Sequence, residues 1–285
     1  MASLSLNRLH TLAIVLTTAA APYLAGLYVV GTSGVLGTLA PVSAAPLPVQ
    51  ADAQKFTIPT EDKLKLTGTY YAPKEAKVRA PGVVLVHGPG GTRAELDALA
   101  GRLQKAGFAA LTIDLRGHGE SATDSLAWSS MDEETKTRTW AFASRDVKAG
   151  VDFLLEQKGV HATTVSLMGF GAGCALVARQ ATRDERVRDI VLIAPETEKL
   201  GSSIAKDVVE LSGLPILVAV AKEDAVTAKR LAEAGNKSNA SDPTLETQVT
   251  KLAVGELLAD PKLAGDVGRW MKSKAMPGVA SKPAH

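Results

Sequence analysis

The chain has 285 residues, of which 46% are hydrophobic and 22% are charged, a balance typical of a globular protein with a sizeable core and not of a disordered chain. Its 32 basic and 30 acidic residues give a net charge of +2 without a long run of one sign, which argues against nucleic acid as a partner. The single cysteine, Cys174, excludes an internal disulfide and a cysteine-based metal cluster. Its ordinary role is that of a small buried side chain.

Residues 1–50 differ in composition from the rest of the chain. No charged residue occurs between Arg8 and Asp52, and Leu, Ala, Val, Thr and Gly dominate from Leu9 to Ala40. A basic start, an apolar segment and small residues at 42–44 as a cleavage site are typical of a signal peptide. The apolar region exceeds a signal core of roughly 7 to 15 residues, so a membrane anchor is the alternative. We therefore expect a periplasmic or secreted protein, or one attached to a membrane through its N-terminus and facing outside the cytoplasm.

One domain is expected over residues 51–274, followed by a loose tail over residues 275–285. Short apolar runs bounded by Gly, Pro or charged residues predict its strands. The first two runs alternate in hydrophobicity and suit an antiparallel pair, whereas later runs are continuously apolar, as in strands buried on both faces of a parallel sheet. In chain order, the predicted strands are Gln54–Pro59, Leu64–Tyr71, Gly82–Val86, Ala109–Leu115, Thr164–Gly169, Asp189–Ala194, Pro215–Val220 and, as a weaker edge strand, Leu245–Leu252.

Helical periodicity separates most of these strands. Thr92 and Glu95 form a predicted capping box for the first helix, and Gly117–Thr137 is predicted to be a polar loop. Further helices are predicted around Val147–Leu155, over Ala172–Ala181, from Ala225, and over Lys262–Lys272, the last with Trp270 on its inward face.

The alternation of strands and helices predicts the α/β class: an open, mostly parallel sheet with helices on both faces. Ligands of such sheets bind at the carboxyl ends of the strands. Only about twenty residues separate Ala194 from Pro215, which leaves little room for a large lid domain.

The segment from Gly169 to Gly173 reads Gly-Phe-Gly-Ala-Gly, the form of the Gly-x-Ser-x-Gly nucleophile elbow with Gly171 in place of the serine. A predicted strand enters this motif and a small-residue helix leaves it, as the elbow requires. Because glycine carries no nucleophile, the motif predicts the shape of the elbow without its reactive atom.

Four segments stand out in chain order: VLVHGPGG (84–91), IDLRGHGES (113–121), MGFGAG (168–173) and PILVAVAKED (215–224). Taken in this order and spacing, they resemble the α/β-hydrolase family, most closely its compact dienelactone-hydrolase and small serine-esterase branches. The resemblance covers roughly Lys55–Ser273 and implies a hydrolase fold with a serine, a carboxylate and a histidine in that chain order.

The resemblance places Gly171 at the nucleophile position, Asp224 at the acid position and Val254 at the histidine position. Asp224 alone keeps the family's kind of side chain, but it precedes a predicted helix and we favour a helix-capping role for it. No histidine occurs between Asp224 and the terminal His285, which would have to fold back into the cleft.

The oxyanion site is also altered. The resemblance assigns one donor to the backbone N–H of Ala172 and a second to a position near Pro89, which has no N–H. Gly90 is then the candidate replacement donor.

Three polar side chains are expected near the same cleft: His87, His118 and Ser121. We favour a bracing role in their turns for all three, since a hydroxyl without a neighbouring base is a weak nucleophile.

The joint absence of serine and histidine favours a non-catalytic protein that binds a small apolar ligand or a protein partner at the cleft. An esterase or dienelactone hydrolase with a rearranged site is the first alternative, and a structural envelope component with a filled pocket is the second. We expect no cofactor and no metal, because the histidines and acids lack ligand spacing and Gly169–Gly173 lacks the dinucleotide-binding frame.

Overall fold

The computed structural model describes residues 53–74, 79–237 and 244–275. The predictions of a signal peptide or anchor over residues 1–50 and of a tail over residues 276–285 lie outside the described residues. Ala275, which was predicted to begin the tail, is instead the last residue of the final helix. Over the described part of the chain, no helix has both the length and the apolar character that crossing a bilayer requires.

An eight-stranded sheet forms the centre of the domain, in the order β1-β2-β4-β3-β5-β6-β7-β8. The β1–β2 and β2–β4 pairs are antiparallel and all other neighbouring pairs are parallel, which confirms the predicted α/β fold. The strands are β1 (Ala53–Pro59), β2 (Lys65–Tyr71), β3 (Ala80–Val86), β4 (Ala109–Ile113), β5 (Val160–Phe170), β6 (Val187–Ile193), β7 (Ile216–Val220) and β8 (Leu245–Val249).

Helices cover both faces of this sheet, so the domain has two cores. Residues alternate between the cores along β3, since Val84 and Val86 join one and Val83 and Leu85 join the other. The first core lies against α3 to α6, and the second against α1 and α7, where Trp270 is partly buried. The helices are α1 (Asp97–Lys105), α2 (Glu133–Phe142), α3 (Ser144–Leu155), α4 (Gly173–Ala181), α5 (Ile204–Glu210), α6 (Ala225–Asn236) and α7 (Pro261–Ala275).

Two local predictions were wrong. The side chain of Thr92 makes no capping hydrogen bond; a short 3-10 helix follows it, and α1 begins only at Asp97. The predicted polar loop ends early, because the carboxylate of Asp132 accepts the N–H of Thr135 at 2.7 Å and starts α2 at Glu133.

The segment between β6 and β7 holds elements that the sequence did not predict. A hairpin pairs Glu198–Lys199 with Ser202–Ser203, and α5 follows directly. This segment begins at the carboxyl end of β6, which lies beside β5. Phe170 at the end of β5 pairs in register with Ile193 at the end of β6, so the hairpin segment starts next to the elbow.

Candidate active site

Gly171 lies at the sharp turn between β5 and α4, with a φ of 56°, in the left-handed region that favours glycine. Its N–H donates to the carbonyl oxygen of Ile193 at 3.0 Å. Its own carbonyl oxygen accepts the N–H groups of Cys174 at 3.2 Å and Glu196 at 3.3 Å. The turn therefore has the backbone form of a nucleophile elbow, fixed by hydrogen bonds to the neighbouring strand and its loop.

The flanking glycines of the motif are required by packing. A Cβ atom on Gly169 would lie 2.6 Å from the Cα of Cys174, and one on Gly173 would lie 2.5 Å from the carbonyl oxygen of His87. Both distances are to backbone atoms, which cannot move aside without deforming the carboxyl ends of the central strands. The motif thus keeps two glycines that the fold needs and has a third at the position of the nucleophile.

The carboxylate of Glu196 lies beside the position that a side chain at residue 171 would take. A Cβ atom built on Gly171 would lie 3.3 Å from Glu196 Oε1. The side chain of Glu196 is 47% exposed, and its Oε2 is 3.5 Å from the Nζ of Lys199. Glu196 belongs to none of the sequence motifs. The one available signal was its place three residues after the end of β6, the strand beside the elbow strand.

Asp224 and Val254, the residues at the acid and histidine positions, lie in the loops after β7 and β8. Asp224 is the N-cap residue of α6, as predicted, but its side chain accepts no capping hydrogen bond. The predicted capping by the carboxylate was therefore wrong. Val254 begins a 3-10 helix and packs partly buried against the core of α1 and α7. Within the described residues, no histidine hydrogen-bonds to a carboxylate.

His118 holds the loop that should supply the second oxyanion donor. Its Nε2 accepts the N–H of Gly90 at 3.1 Å, and its Nδ1 donates to the carbonyl oxygen of Arg116 at 2.9 Å. Gly90 therefore cannot replace the donor that Pro89 lacks, because its N–H is already donated to the imidazole. Burial lowers the pKa of His118, which favours this neutral, bridging form.

His87 has a similar place in the adjacent loop. Its Nε2 accepts the N–H of Leu115 at 3.1 Å, and its Nδ1 lies 2.6 Å from the carbonyl oxygen of Gly88. The side chain is fully buried, and this burial lowers its pKa to about 4. Neither ring nitrogen is available to take a proton from a substrate.

Ser121 is also fully engaged with backbone groups. Its Oγ accepts the N–H of Thr67 at 2.8 Å and donates to the carbonyl oxygen of Asp114 at 2.7 Å. Ser121 therefore joins β2 to the loop after β4 and does not point a free hydroxyl at the elbow.

Two buried carboxylates support the loop that carries His118. Asp114 accepts the N–H groups of Arg93 at 2.8 Å and Glu120 at 2.9 Å, together with the Arg93 guanidinium. Asp146 is fully buried and accepts the backbone N–H of Arg116 at 2.8 Å and its guanidinium at 2.7 Å. These hydrogen bonds and ion pairs fix the loop after β4.

A single comparison decides the family. The sequence profile described as the dienelactone hydrolase family matches residues 66–249, more than half of the chain. The chain belongs to the dienelactone hydrolase family.

Individual relatives are more distant. The quorum-quenching protein AidA of Acinetobacter baumannii is 28% identical over 165 residues, which are 58% of this chain and 48% of that protein. Thiohydrolase aneE of Aspergillus aculeatus is 29% identical over 140 residues, which are 49% of this chain and 40% of that protein. The chain thus spans half or less of the length of these curated relatives.

Solved structures agree on the fold. An esterase of Pyrococcus furiosus superimposes with a TM-score of 0.61 at 18% identity, over 77% of this chain and 90% of that one. Esterase 2 of Thermogutta terrifontis superimposes with a TM-score of 0.60 at 17% identity, over 82% and 98% of the two chains. At these identities the likeness shows the α/β-hydrolase fold alone.

For a dienelactone hydrolase family member, the elbow has unusual donors and acceptors. The N–H of Ala172 is the one expected oxyanion donor left, and none of the described residues accepts it. The loop at Gly88 passes close by, since a Cβ on Gly88 would lie 3.9 Å from the nitrogen of Ala172. This arrangement can accept a hydrogen bond from a ligand at Glu196 and donate one at Ala172, but it offers no hydroxyl or thiol at the nucleophile position.

Cys174 offers no reactive thiol at the elbow. The thiol of Cys174 is fully buried and donates to the carbonyl oxygen of Gly169 at 3.2 Å; burial raises its pKa, so it stays protonated. No group of three His, Cys, Asp or Glu side chains in the described ranges could hold a metal ion.

A cavity of about 300 Å³ is lined by Glu198–Ser203, on the hairpin that follows Glu196.

Proposed function

We propose that this member of the dienelactone hydrolase family is non-catalytic and uses the cleft at its elbow to bind a small apolar ligand or a protein partner. The observation that carries the proposal is Gly171 at the apex of an otherwise complete elbow. An acyl transfer by the family's route needs a nucleophile on that turn and a histidine oriented by a carboxylate. Neither group is at hand in the described site.

The expected loss of activity is large. In a serine protease, removing the triad lowers turnover on the order of a millionfold, and the remainder depends on the oxyanion hole and substrate binding. Here Pro89 has no N–H and that of Gly90 is donated to His118, so only Ala172 could polarise a carbonyl. These deficits add to the missing nucleophile, which supports a binding role over turnover.

The test is hydrolysis of 4-nitrophenyl butyrate by the full chain. We expect the wild type and Gly171→Ser to be inactive, because a serine alone has no base to take its proton. Gly171→Ser combined with Val254→His should give slow turnover if residue 254 lies where the family has its histidine. Gly171→Ser combined with Gly255→His is the matched control, which places the imidazole one residue away.

Rapid ester hydrolysis by the wild type, lost on changing one side chain of the cleft, would contradict the proposal. Activity of Gly171→Ser alone would show instead that another histidine reaches the elbow. Both results are read from initial rates at substrate saturation.

Hydrolysis by a rearranged site is the second candidate. It is supported by the esterase and thiohydrolase names of the relatives and by the carboxylate of Glu196 beside Gly171. A carboxylate can act as a general base on a water molecule. In that case wild-type turnover would fall on Glu196→Gln and would be insensitive to fluorophosphonate, because no serine takes part.

We also propose that the protein acts outside the cytoplasm. The uncharged, apolar composition of residues 9–51 supports export or membrane attachment. Fractionation of cells that produce the full chain tests this, and recovery in the cytoplasmic fraction would contradict it.

A further inference from the structure

We propose that Glu196 sets the charge preference of the cleft, so that it takes a ligand with an ammonium headgroup on a short apolar chain and rejects a carboxylate. This inference rests on the proposed binding function and names the ligand class of the same site. It depends on the contacts of Glu196, on how weakly the nearby positive groups neutralise its carboxylate, and on the aromatic side chains near the elbow.

The backbone of Glu196 is held by the elbow itself. Its backbone N–H donates to the carbonyl oxygen of Gly171 at 3.3 Å, and its Oε1 lies 3.3 Å from where a Cβ on Gly171 would be. A serine side chain at residue 171 would extend toward this carboxylate. The loop after β6 thus supplies a negative group at the place where the family has its nucleophile.

The carboxylate of Glu196 changes the sign of the ligand charge that the elbow favours. The start of α4 and the free N–H of Ala172 favour an anion, as an oxyanion site should. Glu196 now stands beside them, so a ligand carboxylate would meet a like charge. An ammonium would instead pair with Glu196 and extend its chain along the cleft.

The partner of Glu196 within the chain is too weak to cancel this preference. The Nζ of Lys199 is 3.5 Å from Oε2, but the two side chains are 51% and 47% exposed. Exposed pairs of this kind contribute about 0 to 1 kcal/mol, so a ligand ammonium can replace Lys199. The two nearby imidazoles are buried, and burial lowers the pKa of each, so they add no positive charge at neutral pH.

One partly buried aromatic side chain lies next to the elbow in sequence, and another lies beside the neighbouring loop. Phe170 precedes Gly171 and is partly buried, and Trp128 is partly buried with its Nε1 3.8 Å from where a Cβ on Gly90 would lie. The loop Gly88–Gly90 connects this tryptophan to the elbow.

The test compares hexylammonium, hexanol and hexanoate, which share one chain and differ in headgroup charge. Binding to the full-length protein is measured at pH 7.5 and constant ionic strength from the rise in melting temperature with ligand concentration. We expect hexylammonium to bind about fivefold more tightly than hexanoate, which is the upper end of the ratio for an exposed ion pair. Hexanol should lie between them.

Two variants assign the preference to Glu196. Glu196→Gln keeps the shape of a half-exposed side chain, so it should fold normally, and it should remove the difference between hexylammonium and hexanoate. Glu233→Gln makes the same charge change on the exposed surface of α6 and should leave the preference unchanged.

Each outcome decides between the two proposals. If all three ligands bind equally, or hexanoate binds best, the charge preference is wrong while binding at the cleft stands. An unchanged preference in Glu196→Gln assigns the ammonium to another site and also overturns the inference. If none of the three ligands binds, the ligand class is wrong, and the ester assay decides separately whether the protein is non-catalytic.

Discussion

The loops after β3 and β4 use their polar side chains differently from the loops after β5, β7 and β8. In the first group, His87, His118 and Ser121 each make two hydrogen bonds to backbone groups and are almost fully buried. In the second group, Gly171 has no side chain and Asp224 makes no capping bond. The groups that hold the cleft in shape and the groups that would carry out chemistry in it are therefore separate sets of residues.

Energetics explains why the catalytic side chains can be lost while the bracing side chains are kept. A buried donor or acceptor left without a partner costs about 1 to 3 kcal/mol, so the bracing side chains are needed for folding whatever the protein does. A catalytic side chain at the surface of a cleft makes no such contribution to stability, and functional sites are often destabilising. The fold can thus persist where the triad does not.

The largest effect should come from breaking the support of the bracing loop at Arg116. Arg116→Ala would leave Asp146 fully buried without its cation, and burial already raises the pKa of that carboxyl. We expect a loss of about 3 to 5 kcal/mol in the free energy of unfolding, the usual effect of removing one partner from a buried pair. Chemical denaturation at pH 7.5 measures it.

An exposed arginine provides the contrast. Arg145 is 41% exposed and lies 3.3 Å from Glu61 and 3.4 Å from Asp62, so Arg145→Ala should change stability by less than about 1 kcal/mol. If Arg116→Ala proves too unstable to purify, Arg116→Lys keeps the charge without the forked hydrogen bonds and should lie between the two. Equal stability of the Arg116 and Arg145 variants would refute the buried support.

The second effect is a pH dependence from His87. Its pKa is lowered from 6.5 to about 4 by burial, so the unfolded chain takes up the proton first as the pH falls. The stabilisation is complete above pH 6.5 and is lost as the pH falls toward 4, by on the order of 3 kcal/mol. His118, whose pKa is also lowered by burial, acts in the same direction.

Denaturation curves between pH 7.5 and 4 check this. His87→Gln should flatten the slope of stability against pH in that window, whatever its stability at pH 7.5. His161→Gln, at a partly exposed position on β5, should keep the wild-type slope. An unchanged slope in His87→Gln would mean that the imidazole takes up its proton over the same pH range in the folded and the unfolded protein.

Local features of this fold could be predicted from the sequence, whereas long-range contacts could not. The eight strands and the elbow were found because apolar runs and glycine spacing are local patterns. The failed replacement at Gly90 depends on His118, 28 residues away, and the place of Glu196 depends on the pairing of β5 with β6. Contacts between segments distant in the chain leave no local pattern, so neither the bracing network nor the carboxylate at the elbow could be predicted from the sequence.

The smallest effect should come from the apex of the elbow itself. Gly171→Ala forces a residue with a Cβ atom into the left-handed region, which costs about 1 to 2 kcal/mol. Its contact with Glu196 should add little, because a half-exposed carboxylate can move aside. Gly255→Ala is the matched control, since no atom lies within 4 Å of its added Cβ, and it should change stability by no more than about 0.5 kcal/mol. If Gly171→Ala destabilised the protein as much as Arg116→Ala, the apex of the elbow would be part of the structural support. Bracing and chemistry would then not be separate at Gly171.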